Sequence, residues 1–243
     1  MPSVTDHYEN LLAAHYTAMS GGFDVALARE SARFAELGIG PCSGLTALDL
    51  GCGSGFQSVA LARLGFRVTA LDLSPTLLAE LRGHAGGLPV ETIEGDLLDA
   101  PALTGGRRFD LVTCMGDTLP YLPSRACVTR FCGHLTALAA SGARVILTFR
   151  DLTAARQGTD RFLPLKLSDD LMMTCFLEYG PDAVTVHDLV HVRGKEGWSF
   201  KASAYEKLRL SGGEVANELR AAGFTLEDCR EEAGLVTLAA RRK

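Results

Sequence analysis

The stretch Ala47-Leu-Asp-Leu-Gly51-Cys-Gly53-Ser-Gly55 joins an apolar run to three glycines at alternate positions. Glycine lets the backbone turn sharply and approach a ligand without a Cβ clash. The unbonded N–H groups that open a following helix favour an anion there. The third glycine arrives one residue earlier than in the dinucleotide fingerprint Gly-x-Gly-x-x-Gly, and Asp49, two residues before Gly51, is foreign to that fingerprint. Two more acids end successive apolar runs: Asp72 in Val68-Thr-Ala-Leu-Asp72 and Asp96 in Ile93-Glu-Gly95-Asp96-Leu97. A carboxylate in such a place can accept charge-assisted hydrogen bonds from paired hydroxyls. Taken singly, each acid reads equally as a turn former or helix cap.

One loop followed by two strand-end acids, in this order, resembles motif I and the segments after it in class I S-adenosylmethionine-dependent methyltransferases. The motif form Asp/Glu-x-Gly-x-Gly-x-Gly is matched on Asp49, Gly51, Gly53 and Gly55. The resemblance implies S-adenosylmethionine as cofactor. It places the backbone of Gly51, Cys52 and Gly53 against the methionine part, with Asp49 helping to hold the amino group. Asp72 would take the ribose hydroxyls, Leu73 and Leu77 would pack on adenine, and Gly95-Asp96-Leu97 would meet the adenine edge.

The segment Cys114-Met115-Gly-Asp117-Thr-Leu-Pro-Tyr121-Leu122 lacks the Asn/Asp-Pro-Pro-Tyr/Phe tetrapeptide of enzymes that methylate adenine or glutamine amino groups. It is closer to the Gly-Asn/Asp-Ser/Thr-Leu pattern of small-molecule, glycine-methyltransferase-like enzymes. That likeness sets Met115 near the adenine or sulfonium and Asp117 facing the acceptor, though Asp117 is equally a cap on the next turn. Tyr8, Ala13 and Tyr16 resemble the Tyr…Ala-x-x-Tyr cap of the same enzymes, with Tyr16 closing over the cofactor. Here the tyrosines are eight apart, where the resemblance calls for seven.

Methyl transfer to a small molecule's nitrogen or oxygen needs alignment and dryness more than acid–base chemistry. A base is required only where the acceptor arrives protonated. Asp117, Tyr121, Arg150 and Tyr205 are the candidates; Arg150 could instead hold an acidic substrate group. Two other readings stay open. One is a cofactor-binding protein without turnover. The other is methylation of a thiol, selenium or arsenic acceptor, which would need two of the seven cysteines, Cys52 and Cys114 being the nearest, to converge on the pocket.

The elements that must position these residues follow from periodicity. Helical spacing marks two N-terminal helices, through Leu11–Met19 and Phe23–Leu37. Strands 45–50, 67–73, 90–94, 109–114 and 143–149 alternate with helices 56–64, 75–82 and 125–138. That alternation predicts a Rossmann-like, seven-stranded, mostly parallel α/β sheet with helices on both faces, and such sheets bind ligands beyond the carboxyl ends of their strands. After Phe149 three apolar runs, 171–179, 184–193 and 198–208, are separated by Gly-rich turns and predict a three-stranded antiparallel insertion. Ser211…Glu214 has capping-box spacing and opens a last helix, followed by two closing strands. The expected organisation is a single domain: helical cap 1–40, cofactor-binding core 41–150, pocket-shaping insertion 151–210, and closing elements 211–243.

Composition narrows the partners. The 243 residues are 47% hydrophobic with a net charge of −5 and no basic tract beyond the last three positions. This speaks against nucleic acid as the acceptor. No apolar run reaches bilayer length, and the opening residues lack a basic-then-apolar pattern, so a cytoplasmic protein off the membrane is expected, as monomer or homodimer. No Cys-x-x-Cys pair occurs. His187 and His191 fall on an alternating strand about 13 Å apart, too far to share an ion. No metal is expected.

Overall fold

The computed structural model describes residues 3–243. Two sheets are present. The larger has seven strands, formed by β1 (Thr46–Leu50), β2 (Arg67–Asp72), β3 (Val90–Glu94), β4 (Phe109–Cys114), β5 (Ala139–Arg150), β10 (Phe224–Glu232) and β11 (Leu235–Arg242), in the order β10-β11-β5-β4-β1-β2-β3. The pairs β5–β4, β4–β1, β1–β2 and β2–β3 are parallel, and β11 runs against both its neighbours.

Both faces of this sheet are covered, as its nearly unbroken apolar strands require. One face packs on helices α1 (Phe23–Glu36), α2 (Phe56–Arg63) and α3 (Pro75–Ala85), through Phe34, Leu61, Leu78 and Leu81. The other packs on α4 (Arg125–Leu138) and α5 (Gly212–Ala221), through Phe131, Leu135, Val215 and Leu219. Local chemistry starts these helices. Ser74 caps α3 with Pro75 behind it, Ser124 caps α4, and Ser211 and Glu214 complete a capping box on α5.

The insertion differs from expectation in strand number. It has four antiparallel strands in the order β6 (Phe162–Leu167), β7 (Leu171–Tyr179), β8 (Ala183–Gly194) and β9 (Gly197–Leu208). The unpredicted β6 carries Pro164 in mid-run, which cannot donate to a ladder and therefore belongs on an edge strand. Its register with β7 shifts between Pro164 and Lys166.

The first N-terminal helix also differs. In place of a regular helix, the chain makes an α turn (Val4–His7), a π turn (Tyr8–Leu12), a 3₁₀ turn (Ala13–His15) and a final α turn (Tyr16–Met19). Leu11 and Leu12 pack on Leu171, Met173 and Val190 of the insertion, so this segment is clamped between the two sheets. Among the described residues no helix is long and apolar enough to cross a membrane, and no cluster of His, Cys, Asp and Glu suited to a metal occurs.

Candidate functional site

A cavity of about 320 Å³ opens at the carboxyl ends of the parallel strands, and its wall includes Gly51, Gly53, Asp72, Asp96, Tyr16 and Tyr121. It straddles β1 and β4, where the chain direction across the sheet reverses, the usual place for a ligand in an open α/β sheet. The floor is the glycine loop. Gly53 has φ +54°, and a Cβ there would press on the Tyr16 ring at 3.3 Å. Gly55 caps α2 in the left-handed region (φ +91°), and a Cβ would strike Leu81 of α3 at 2.1 Å. The loop N–H groups are engaged within the chain: Gly51 and Cys52 donate to Leu71 O, and Gly53 donates to Asp72 Oδ2 at 2.7 Å.

Asp72 is thus fixed from two sides, its Oδ1 accepting from Ser74 N at 2.9 Å. Burial pushes its carboxyl above the ordinary value against the pull of those two N–H bonds. Each oxygen keeps a lone pair for a further donor. Asp96 also lines the cavity, and its Oδ1 accepts from Leu98 N at 2.8 Å, as a cap does. Between these acids the wall is apolar, with Leu71, Leu73, Leu77 and Leu97.

The opposite wall is the irregular N-terminal segment, with Ser3, Val4, Thr5, Tyr8 and Tyr16. The π turn accounts for the tyrosine spacing. It takes up one residue more than an α turn, so tyrosines eight apart still reach the same wall, with ring centroids 6.2 Å apart. Glu9, inside that turn, reaches over to α3 and accepts from Ser74 Oγ and from Thr76 Oγ1. Tyr8 and Tyr121 hydroxyls meet at 3.0 Å. Burial pushes the Tyr8, Tyr16, Tyr121 and Tyr205 phenols above their ordinary value, so all four remain protonated hydroxyls.

Six residues singled out from the sequence lie outside the cavity wall. Asp49 is buried beneath the loop, where Ser58 Oγ (2.6 Å) and Thr113 Oγ1 (2.9 Å) donate to its carboxylate. It thereby lends negative charge to the first turn of α2 and ties β1 to β4, instead of reaching a ligand amine. Cys52 and Met115 pack into the apolar layer under α1–α3. Tyr205 stands one layer back, its ring stacked on Tyr121 at 5.2 Å. Arg150 has an exposed side chain, and its backbone N–H donates to Asp117 Oδ1 at 2.9 Å. Asp117 itself is ion-paired to Lys207.

Lys207 is the main residue that sequence reasoning missed. It lies two positions after Tyr205 on β9, only 8% exposed, with its ammonium 4.7 Å from the Tyr121 ring centre. Burial works against its charge, but the Asp117 carboxylate outweighs that and holds the ammonium above its ordinary pKa. Strand alternation was the available signal, since residues two apart share a face. Missed too were Thr118, Leu122, Pro123 and Ser74 in the wall, and His7, whose Nε2 meets Asp188 Oδ2 of β8 at 3.0 Å in full burial. No cysteine lines the cavity, and burial raises the Cys52 and Cys114 thiols.

The sequence profile of a family described as a methyltransferase domain matches residues 47–142. The matched stretch holds the glycine loop, Asp72, Asp96 and Tyr121. Across 101 residues the chain is 42% identical to the ubiquinone biosynthesis O-methyltransferase of Xylella fastidiosa (strain 9a5c), a match that covers 39% of this chain and 39% of that protein. The chain thus matches about two fifths of the length of that curated relative. Over nearly the full chain the fold is similar to that of solved S-adenosylmethionine-dependent methyltransferases. A methyltransferase from Clostridium acetobutylicum ATCC 824 superposes with a TM-score of 0.72 at 18% identity, covering 97% of this chain and 96% of that one. The sugar N-methyltransferase KedS8 from Streptoalloteichus sp. ATCC 53650 superposes with a TM-score of 0.72 at 17% identity, covering 91% and 88%.

Proposed function

We propose that this protein transfers a methyl group from S-adenosylmethionine to a nitrogen or oxygen of a small-molecule acceptor. The observation that carries the reading is a single cavity wall holding the glycine loop, Asp72 and Asp96 at three successive strand ends. The wall fits the cofactor chemically. Asp72 offers free lone pairs to paired ribose hydroxyls, the leucines at 71, 73, 77 and 97 offer an apolar slot for adenine beside Asp96, and Gly51 and Gly53 leave room for the methionine part. The cavity volume is in the range of small-ligand pockets, about 300–1,000 Å³.

When bound, S-adenosylmethionine supplies a methyl group already activated by a positive sulfonium. The chain's own task is to align the acceptor and keep water out. The N-terminal segment, held by His7 on the insertion and Glu9 on α3, closes the cavity. The Tyr8–Tyr121 hydroxyl pair and Thr118 give the acceptor end neutral donors and acceptors. Among the described residues no side chain at that end is a free base: the tyrosines are protonated and Asp117 is engaged by Lys207 and Arg150 N. This favours an acceptor atom that is unprotonated near neutral pH, such as a weakly basic amine. Among the described residues no Lys or Arg lines the cavity, which favours a neutral acceptor over an acidic one. The cytoplasm is the proposed location, in keeping with seven unpaired cysteines.

Titration calorimetry with S-adenosylmethionine tests the reading, followed by a panel of amines and alcohols assayed for S-adenosylhomocysteine. Saturable binding that Asp72→Ala abolishes is expected, with turnover on at least one amine. Binding unchanged in Asp72→Ala would overturn the site, and binding without product on any acceptor would leave a cofactor-binding protein.

A further inference from the structure

We propose that the acceptor is a tertiary amine, and that the rings of Tyr8, Tyr16 and Tyr121 form a box for the quaternary ammonium it becomes. This rests on the function proposed above and narrows its acceptor. All three tyrosines line the cavity. Tyr8 contacts both of the others: its ring centre lies 6.2 Å from that of Tyr16, with the planes at 50°, and 5.8 Å from that of Tyr121, with the planes at 65°. Rings inclined so steeply do not stack; they form the sides of a corner. The other two are each backed by an aromatic ring outside the cavity wall. Tyr16 stacks on Phe56 with centres 5.9 Å apart and planes within 9°, and Tyr121 stacks on Tyr205 at 5.2 Å and 28°. That backing holds each ring in place and covers the side away from the cavity. An aromatic face attracts a cation within about 6 Å of its centre, and the attraction grows when water is excluded.

The surrounding charges select the sign of the guest. Asp72 and Asp96 line the same cavity and, among the described residues, no Lys or Arg does. Lys207 lies 4.7 Å from the Tyr121 ring centre, but Asp117 neutralises it. Such a box suits a transfer in which one positive charge is present throughout. A neutral amine gives that transfer: the nitrogen lone pair forms the new C–N bond, the C–S bond breaks with its electron pair left on sulfur, and the charge passes from sulfur to nitrogen. An oxyanion acceptor would instead cancel the charge that the rings stabilise. Hydrogen bonding sets the degree of alkylation. An ammonium with three N–H groups needs three acceptors once it leaves water. Here the Tyr8 and Tyr121 hydroxyls bond each other at 3.0 Å, and the wall around them includes Val4, Leu122 and Pro123. Methyl groups on nitrogen find ring faces and apolar side chains there, whereas N–H groups go unmet. A quaternary product also has no proton to lose, in keeping with protonated tyrosines and an engaged Asp117.

Titration calorimetry on protein saturated with S-adenosylhomocysteine tests the proposal, with choline as the quaternary probe and 3,3-dimethylbutan-1-ol as its neutral carbon isostere. Choline is expected to bind at least about tenfold tighter, as contact with more than one ring face in a dehydrated site should give. Tyr8→Phe and Tyr121→Phe keep the rings and should keep that ratio. Tyr8→Leu and Tyr121→Leu should erase it, with retained affinity for S-adenosylhomocysteine showing that they fold. Because Leu also changes packing, fluorinated phenylalanines in place of Tyr121 give a second measurement. Each added fluorine draws negative charge from the ring face at nearly constant shape, so choline affinity should fall stepwise while that of the isostere stays level. Equal affinity for the two probes overturns the proposal, as does a choline preference that survives both Leu variants or ignores fluorination. Ethanolamine binding as tightly as choline overturns the choice of a tertiary amine. Failure of S-adenosylhomocysteine itself to bind would overturn the proposed function on which the box rests, so the two failures are told apart.

Discussion

Lys207, buried on β9, and Asp117, beyond the end of β4, form an ion pair that ties the insertion to the parallel sheet directly behind Tyr121. Removing one partner leaves the other charge in a largely dry setting, which is costly, whereas removing both is far less so. Lys207→Met and Asp117→Asn are each expected to lower unfolding free energy by more than half of what the double variant loses, with a coupling of about 1–3 kcal/mol. Urea unfolding of the four proteins measures this. The pH dependence has a defined sign. Because the folded pKa is raised, the stabilisation from the lysine is complete below the unfolded value of about 10.4 and fades as pH climbs through the folded one. The gap between wild type and Lys207→Met should therefore stay constant from neutral to mildly alkaline pH and close only above that window. Strict additivity would show that the two groups do not act as a pair.

The hydroxyl of Tyr121 should matter for the acceptor and not for the cofactor. Tyr121→Phe keeps the ring on Tyr205 but breaks the 3.0 Å contact with the Tyr8 hydroxyl. Loss of one hydrogen bond worth about 1–1.5 kcal/mol corresponds to roughly a tenfold fall in kcat/KM. Affinity for S-adenosylmethionine should stay within twofold. Since burial holds Tyr121 protonated, the variant should keep the wild-type shape of the pH–rate profile. Disappearance of a limb would mean that the phenol serves as the base after all.

How much of this was legible beforehand depends on whether the signal was local. The glycine loop and the strand-end acids Asp72 and Asp96 are written in contiguous segments, and the strand–helix alternation names the larger sheet without any knowledge of contacts. Asp49 shows the limit. The motif makes it conspicuous, but its partners Ser58 and Thr113 lie nine and 64 positions away, and only the fold reveals that they consume it. Lys207 failed for the opposite reason: a lysine reads as solvated surface unless its counter-charge, 90 positions earlier, is known to sit opposite. The strand β6 was hidden by Pro164, which marks an edge strand and a loop alike.

Asp49 gives a test of its structural role through pH. Burial raises its carboxyl from the ordinary 3.8 to about 6, against the hydroxyl bonds from Ser58 and Thr113. A raised folded pKa means the fold prefers the protonated acid, so the group favours folding below 3.8 and loses that contribution as pH rises through about 6. Asp49→Asn stays neutral throughout, and hydroxyls can donate or accept, so either can meet the amide. The variant's melting temperature relative to wild type should therefore rise as pH increases across that window and level off above it. A difference that is flat with pH would mean that the carboxylate is already ionised at the acid end of the window.

The π turn at Tyr8–Leu12 should prove necessary for the acceptor wall. Asn10 is exposed within it, while Leu11 and Leu12 on its far side are buried against the insertion. Deleting Asn10 returns the turn to α geometry and restores a seven-residue tyrosine spacing, yet it rotates everything before it by about 100° relative to Leu11. His7 would then leave Asp188, a contact fully buried in the native chain, and Tyr8 would leave Tyr121. The deletion is expected to keep the parallel sheet folded, because that sheet's core draws on none of these residues. It should speed hydrogen exchange across residues 3–19 and lower kcat/KM for the acceptor more than Tyr121→Phe does, since it removes the water-excluding wall as well as one hydroxyl. Exchange and turnover at wild-type rates would show that the extra residue is absorbed elsewhere and that the π turn is incidental to the site.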